Sequence, residues 1–163
     1  MMIESQSQPI IRRDDNVSRW VCFYLNQQIY GLPILDVQEV LSQFDIEPVP
    51  GTDPQVLGVI NLRGTVVTVL DLRRRLGAEV TEVNDTSRVI IIDHGAEHFG
   101  LLVDHVADVR KVVDGAIKPA PEMGLAAGSV KYRGIYNKDR EMLTLLDAAS
   151  LIEGASFVVA PGA

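Results

Sequence analysis

The chain has 163 residues, of which 47% are hydrophobic and 23% are charged, and its formal net charge at pH 7 is -7. This composition is typical of a soluble folded protein and excludes a disordered chain. The apolar runs are far shorter than the roughly 18 residues of a membrane helix, so we expect no membrane insertion, and the negative charge argues against nucleic acid as a partner.

The N-terminal residues 1-17 are predicted to form a flexible tail. They lack the basic start and continuous apolar segment of a secretory signal, so we expect a cytoplasmic protein. The one cysteine, Cys22, lies in the apolar run W-V-C-F-Y-L and cannot form an internal disulfide. This pattern is typical of a buried thiol in a reducing compartment.

The rest of the chain reads as short strands that recur as an internal repeat. Apolar runs rich in Val, Ile, Leu and Thr are punctuated by Gly, Pro, Asn and Asp, which indicates an all-β fold. Three blocks return in the same order: Y-G-L-P-I-L-D-V-Q-E-V at 30-40 as F-G-L-L-V-D-H-V-A-D-V at 99-109, I-E-P-V-P at 46-50 as I-K-P-A-P at 117-121, and residues 58-76 as residues 134-152.

The repeat predicts two similar units at residues 18-86 and 87-153. Each would hold about five short strands, and closing such a small sheet into a barrel protects its edges. Because about 70 residues are marginal alone, the units should share an apolar interface and form one domain over residues 18-153. Short capping helices are expected after Asp71 and Asp147, each with that aspartate as its N-cap. Residues 154-163 are predicted to be a second flexible tail.

The repeat also separates residues needed for the fold from residues free for another use. The turn Leu62-Arg63-Gly64 in the first unit aligns with Lys138-Asp139-Arg140 in the second. Since the second turn closes without an arginine at that position, hairpin geometry does not require Arg63. Arg63 is then either an exposed solubilising charge or a guanidinium held ready for a partner's carboxylate or carbonyl groups. Leu62 would add an apolar contact beside it.

Other positions recur in both units, which favours a structural role for them. Val37, Glu39 and Val40 match Val106, Asp108 and Val109. For Glu39 the choice between a structural role and a partner contact stays open. Gly58 matches Gly134, and a glycine inside a strand usually marks a bulge or a close backbone approach.

No motif indicates catalysis or a cofactor. The sequence has no Gly-rich phosphate loop, nucleophile elbow, CxxC pair or HExxH helix. The stretch D-H-G-A-E-H-F at 93-99 has metal-like histidine spacing only on a helix, whereas its flanking strands indicate a hairpin turn. We therefore expect neither an enzyme nor a cofactor or metal site.

Four stretches carry a family resemblance: V-Q-E-V, P-V-P, V-L-G-V-I-N-L-R-G-T-V-V-T-V-L-D-L-R-R-R-L-G and R-V-I-I-I-D-H-G-A-E-H-F-G-L-L-V-D-H-V-A-D-V. Together they resemble the CheW family of chemotaxis coupling proteins over about residues 18-153. The resemblance implies two SH3-like five-stranded β-barrels. It also implies that residues 18-153 form one CheW-like domain.

The same resemblance implies a non-catalytic adaptor. Its expected partners are the signalling tip of a chemoreceptor (a methyl-accepting chemotaxis protein) and the regulatory domain of the CheA histidine kinase, at membrane receptor arrays. Val37, Glu39, Gly58 and Arg63 fall on family positions associated with this coupling. With their neighbours they give the predicted partner-binding set: Val37, Glu39, Val40, Gly58, Leu62 and Arg63. The alternative is a small β-barrel protein that binds or processes a ligand between the two subdomains.

Overall fold

The computed structural model describes residues 16-120 and 130-152. Within them the fold is all-β with two short helices, as the sequence predicts. Most of the predicted tails, 1-17 and 154-163, lie outside the described residues. The elements in chain order are β1 (Val17–Leu25), β2 (Gln28–Pro33), a 3-10 turn (Ile34–Asp36), β3 (Val37–Leu41), β4 (Val56–Leu62), β5 (Thr65–Asp71), α1 (Leu72–Arg75), β6 (Arg88–His94), β7 (Glu97–Val103), β8 (His105–Val113), a second 3-10 turn (Asp114–Ala116), β9 (Tyr132–Lys138), β10 (Glu141–Leu146) and α2 (Ala148–Ile152).

The strands form two five-stranded sheets, which confirms the predicted fold class. Sheet A has the order β8-β1-β2-β10-β9, and sheet B has the order β3-β6-β7-β5-β4. In each sheet an isolated bridge joins the segment that follows one edge strand to the opposite edge strand: Lys118, after β8, to Ile135 of β9 in sheet A, and Glu47, after β3, to Val59 of β4 in sheet B. These bridges draw each sheet into a small barrel, so its edge strands are not left open.

The prediction that residues 18-86 and 87-153 each build one barrel is wrong. Sheet A takes β1 and β2 from the first half but β8, β9 and β10 from the second, and sheet B takes the remaining strands. Four strand pairs join the two halves: the antiparallel pairs β1–β8 and β3–β6 and the parallel pairs β2–β10 and β5–β7. The chain crosses from one sheet to the other at Ile34–Asp36 and again at Asp104.

The repeat itself is visible in this exchanged arrangement. When every strand of sheet A is replaced by its repeat equivalent, the order becomes that of sheet B. The registers agree as well, because Thr144 faces Tyr30 in one parallel pair and Thr68 faces Phe99 in the other. The two halves are therefore interlocked around a pseudo-twofold axis instead of lying side by side.

The largest apolar cluster lies between the two sheets, which provides the shared interface that the short units require. It combines Phe23 and Leu32 of sheet A with Ile90 and Phe99 of sheet B, all nearly or fully buried. Cys22 lies in a smaller cluster of sheet A and is fully buried, as predicted. Burial raises the pKa of its thiol to about 11, so the thiol is protonated and weakly reactive at neutral pH.

The helices occupy their predicted places, but Asp71 does not cap α1 through its side chain. Its buried carboxylate instead accepts bonds from Thr81, at 2.9 Å from the backbone nitrogen and 2.5 Å from the hydroxyl oxygen. The Asp71 carboxylate therefore anchors the segment that follows α1 and does not cap the helix. Asp147, before α2, has its carboxylate oxygen 3.5 Å from Arg133 Nε.

Candidate partner-binding surface

Arg63 lies at the tip of the β4–β5 hairpin in a backbone conformation that suits glycine or asparagine. The connection is the two-residue turn Arg63-Gly64, with φ of 50° and 88°. Positive φ at both positions is the signature of a type I′ turn, for which Asn-Gly is the preferred sequence. The Asn61 side chain supports the turn by accepting a 2.8 Å bond from the Gly64 nitrogen. An arginine here is strained relative to asparagine or glycine.

The Arg63 guanidinium is paired with Glu39, which the sequence did not predict. Arg63 Nη2 bonds one carboxylate oxygen of Glu39, and Nη1 lies 3.4 Å from the other. Glu39 belongs to edge strand β3, while Arg63 is at the tip beside the opposite edge strand β4, so the pair spans the two edges of sheet B. Because Arg63 donates to the Glu39 carboxylate and attracts its charge, the pKa of Glu39 falls below its ordinary value of 4.5.

The pair lies at the surface. The side chain of Arg63 is 71% exposed and that of Glu39 is 32% exposed. Val40, on the same edge strand, is an exposed apolar residue. Charged and apolar groups are thus presented together, which is the composition of a protein interface.

The other three predicted site residues lie deeper. Val37 is half-buried and packs against the cluster between the sheets, while Leu62 is half-buried against the inner cluster of sheet B. Gly58 is buried at φ 152°, and a Cβ there would lie 2.0 Å from the Glu47 carbonyl oxygen. The close approach of two backbones explains Gly58 without any partner.

A groove beside the turn contains residues that the sequence analysis did not single out. It has a volume of about 430 Å³, and its apolar lining includes Leu41, Phe44 and the 66% exposed Val66. The continuous apolar run of β5 concealed that Val66 points outward. The repeat held a signal, because the equivalent residue Met142 is also apolar and 50% exposed.

The equivalent tip of sheet A has the same backbone but different chemistry. Asp139 and Arg140 form its turn, again with positive φ at both positions. Asp108 and Asp139 stand where sheet B has Glu39 and Arg63, so like charges replace the ion pair. Arg110 bonds both Asp108 and Glu141, at 2.9 and 2.8 Å. Burial works against the charge of Arg110, but these two hydrogen bonds outweigh it and raise its pKa.

The stretch at 93-99 forms a hairpin, as predicted. β6 ends at His94 and β7 begins at Glu97. His98 Nδ1 contacts the Asp93 carboxylate, which also accepts a 2.5 Å bond from Gln38. Among residues 16-120 and 130-152, no group of three or more His, Cys, Asp or Glu is placed to hold a metal ion. In that same part of the chain, no helix has the length and apolar character needed to cross a membrane.

Comparison with known proteins places both tips in one family domain. A family model described as the CheW-like domain matches residues 19-156. The chain belongs to the CheW-like domain family. The matched residues include β2 to β10 completely and all of β1 except its first two residues, so the CheW-like domain covers both interlocked halves.

Individual CheW-like proteins agree with this family. The chain is 32% identical over 138 residues to the chemotaxis protein CheW of Bacillus subtilis, covering 85% of this chain and 88% of that protein. It is 30% identical over 133 residues to the chemotaxis protein CheW of Klebsiella aerogenes, covering 82% and 80%. The crystal structure of the scaffolding protein TtCheW from Thermoanaerobacter tengcongensis matches with a TM-score of 0.75 at 33% identity, covering 83% of this chain and 92% of that one.

Proposed function

We propose that this protein is a non-catalytic adaptor of chemotaxis signalling that couples the signalling tips of chemoreceptors to the regulatory domain of the CheA histidine kinase. Relatives named chemotaxis protein CheW and a similar scaffolding protein support this role. The adaptor is cytoplasmic and reaches membrane receptor arrays by binding receptors. We predict that Val40, Leu62, Arg63 and Glu39, at the tip of sheet B, contact the partner. Val37 and Gly58 lie deeper and hold these residues in place.

The observation that carries the proposal is the position of Arg63. A solubilising charge could stand on any exposed strand residue, but Arg63 occupies a left-handed position where asparagine or glycine would be more stable. Strained residues of this kind cluster at functional sites. The planar guanidinium keeps donors beyond those used by Glu39, and these can bind a partner's carboxylate or carbonyl groups.

The interlocked fold gives the adaptor two tips of similar shape and different chemistry. One presents Arg63 with Glu39 beside Val66, and the other presents Asp139 beside Met142. Two such surfaces on one rigid body can hold two partners together, so that binding one raises the local concentration of the other. The chemical step then belongs to the kinase.

Arg63→Asn tests the proposal because it removes the guanidinium while improving the turn. The variant should keep its Tm or gain up to about 2–4 °C, since asparagine favours the left-handed conformation. Its affinity for a receptor signalling fragment or for the kinase regulatory domain should fall about tenfold or more, as expected for an arginine anchor. Calorimetric melting and titration of each purified partner measure the two effects.

Asp139→Asn is the matched control, because it relaxes the same turn geometry at the other tip. This variant should gain similar stability. It should not change the affinity for the partner whose binding Arg63→Asn weakens. If Arg63→Asn bound both partners as tightly as the wild type, Arg63 would be only a surface charge. If it lowered Tm by several degrees, its role would be structural.

A further inference from the structure

A second exposed apolar groove lies on sheet A, where the chain first crosses to sheet B. Leu35, in the crossing turn, is 91% exposed, and Val17 and Ile34 beside it are 54% and 36% exposed. These residues line a groove with a volume of about 820 Å³. None of the six residues predicted for partner binding lines it. A concave apolar patch of this kind marks an interaction site more often than a lone surface leucine does.

The other crossing shows that exposure of Leu35 is not imposed by the fold. Asp104 is the repeat equivalent of Leu35, and it is tied to the protein by Arg73, whose Nε donates to it at 3.0 Å. The Asn26 backbone nitrogen donates to the same carboxylate at 2.6 Å. The crossing at Asp104 is therefore held against the protein by hydrogen bonds, whereas the equivalent crossing exposes Leu35 to solvent.

The groove carries a positive rim on a protein whose net charge is -7. Its lining includes Arg19, Lys111 and Arg133. Arg133 is already paired with Asp147, and the one acid in the lining, Asp114, accepts a bond from Ser18. Within the described residues, Arg19 and Lys111 form no ion pair. The groove is therefore complementary to a ligand that combines apolar and acidic side chains.

This chain carries such a ligand in residues 79-83, which read E-V-T-E-V. Thr81 is buried and anchored to the Asp71 carboxylate by the two bonds described above. Val80 and Val83 are 51% and 57% exposed, and Glu79 and Glu82 are exposed beside them. The segment is thus held in place while its valines and carboxylates face solvent.

We propose that residues 79-83 of one copy dock into the Leu35 groove of a second copy. Val80 and Val83 cover Leu35 and Val17, and Glu79 and Glu82 pair with Arg19 and Lys111. The two surfaces share no residue, so the contact is head-to-tail and produces rings or open chains instead of a closed symmetric dimer. The patch is small, so the contact is weak and forms at high protein concentration.

Sedimentation velocity at increasing concentration and low salt tests this contact with two charge-reversed variants. The wild type should show a weight-average mass that rises with concentration and falls back when salt screens the charges. Lys111→Glu puts a negative charge in the groove opposite Glu82 of the segment. Glu82→Lys puts a positive charge in the segment opposite Lys111 of the groove. Each variant alone should lose about tenfold or more in association constant. An equimolar mixture of the two should associate again, because every groove then meets a segment of opposite charge.

Matched controls separate the docking contact from net charge. Lys138→Glu and Glu97→Lys make the same charge changes at exposed positions outside both surfaces, and they should associate like the wild type. Leu35→Ser should weaken association without altering any charge. The proposal is overturned if the wild type stays monomeric at all concentrations, or if the mixture of Lys111→Glu and Glu82→Lys remains monomeric.

Discussion

At the scale of single residues, the charge state of Glu39 reports whether the Arg63 pair forms in solution. The guanidinium lowers the pKa of Glu39 below 4.5, so the contribution of the pair to stability is fully present above that ordinary value. Its contribution is lost as pH falls through that lowered pKa. A carboxyl-carbon NMR titration should therefore place the Glu39 midpoint below 4.5. In Arg63→Asn the midpoint should return to about the ordinary value, and an unchanged midpoint there would contradict the pairing.

The sequence predicted part of this site. Comparing the two units showed that Arg63 is not required by the hairpin, but it left the role of Glu39 open, and the family resemblance placed Glu39 among the partner-binding positions. It did not show that the two residues meet, because they are separated by 24 positions and lie at opposite edges of one sheet. Closure of the barrel brings those edges together, and no local pattern encodes it. The cap predicted for Asp71 was wrong for a different reason: its carboxylate bonds Thr81, ten positions along the chain and beyond the helix, and no cap pattern marks that contact.

At the scale of elements, Gly58 and its equivalent Gly134 hold each barrel together where two backbones touch. A Cβ on Gly134 would lie 2.6 Å from the Lys118 carbonyl oxygen, just as one on Gly58 would meet Glu47. Gly58→Ala should therefore lower the free energy of unfolding by roughly 2–4 kcal/mol, measured by urea denaturation.

Gly64→Ala, in the same hairpin, is the control for this prediction. Gly64 also has a positive φ, but a Cβ there would meet nothing within 4 Å. It should lose only about 1–2 kcal/mol from the unfavourable backbone conformation. Equal losses in the two variants would mean that the contact with Glu47 does not constrain the fold. A loss of partner binding in Gly58→Ala would accordingly be a consequence of misfolding.

At the scale of the whole molecule, the sequence predicted two five-stranded units but not their interlocking. β5 and β10 are repeat equivalents with the same apolar pattern, so β2 could pair with either one without violating any local preference. In the structure β2 pairs with β10, and its repeat equivalent β7 pairs with β5. Only the tertiary connection at the two crossings decides between these arrangements. The repeat therefore predicts that each barrel has five strands of the same kinds. It does not predict which half of the chain supplies each strand.

Interlocking predicts that the two barrels unfold together. α1 follows a strand of sheet B and α2 follows a strand of sheet A, and buried Arg75 of α1 donates to the carbonyl oxygens of Leu151 and Ser150 in α2, at 2.8 and 3.1 Å. Trp20 is the only tryptophan and lies in sheet A. Its fluorescence and the far-UV circular dichroism of both sheets should give one urea midpoint. Gly58→Ala, which perturbs sheet B, should shift the Trp20 midpoint as far as the dichroism midpoint. If Trp20 kept its wild-type midpoint in that variant, the barrels would be independent folding units.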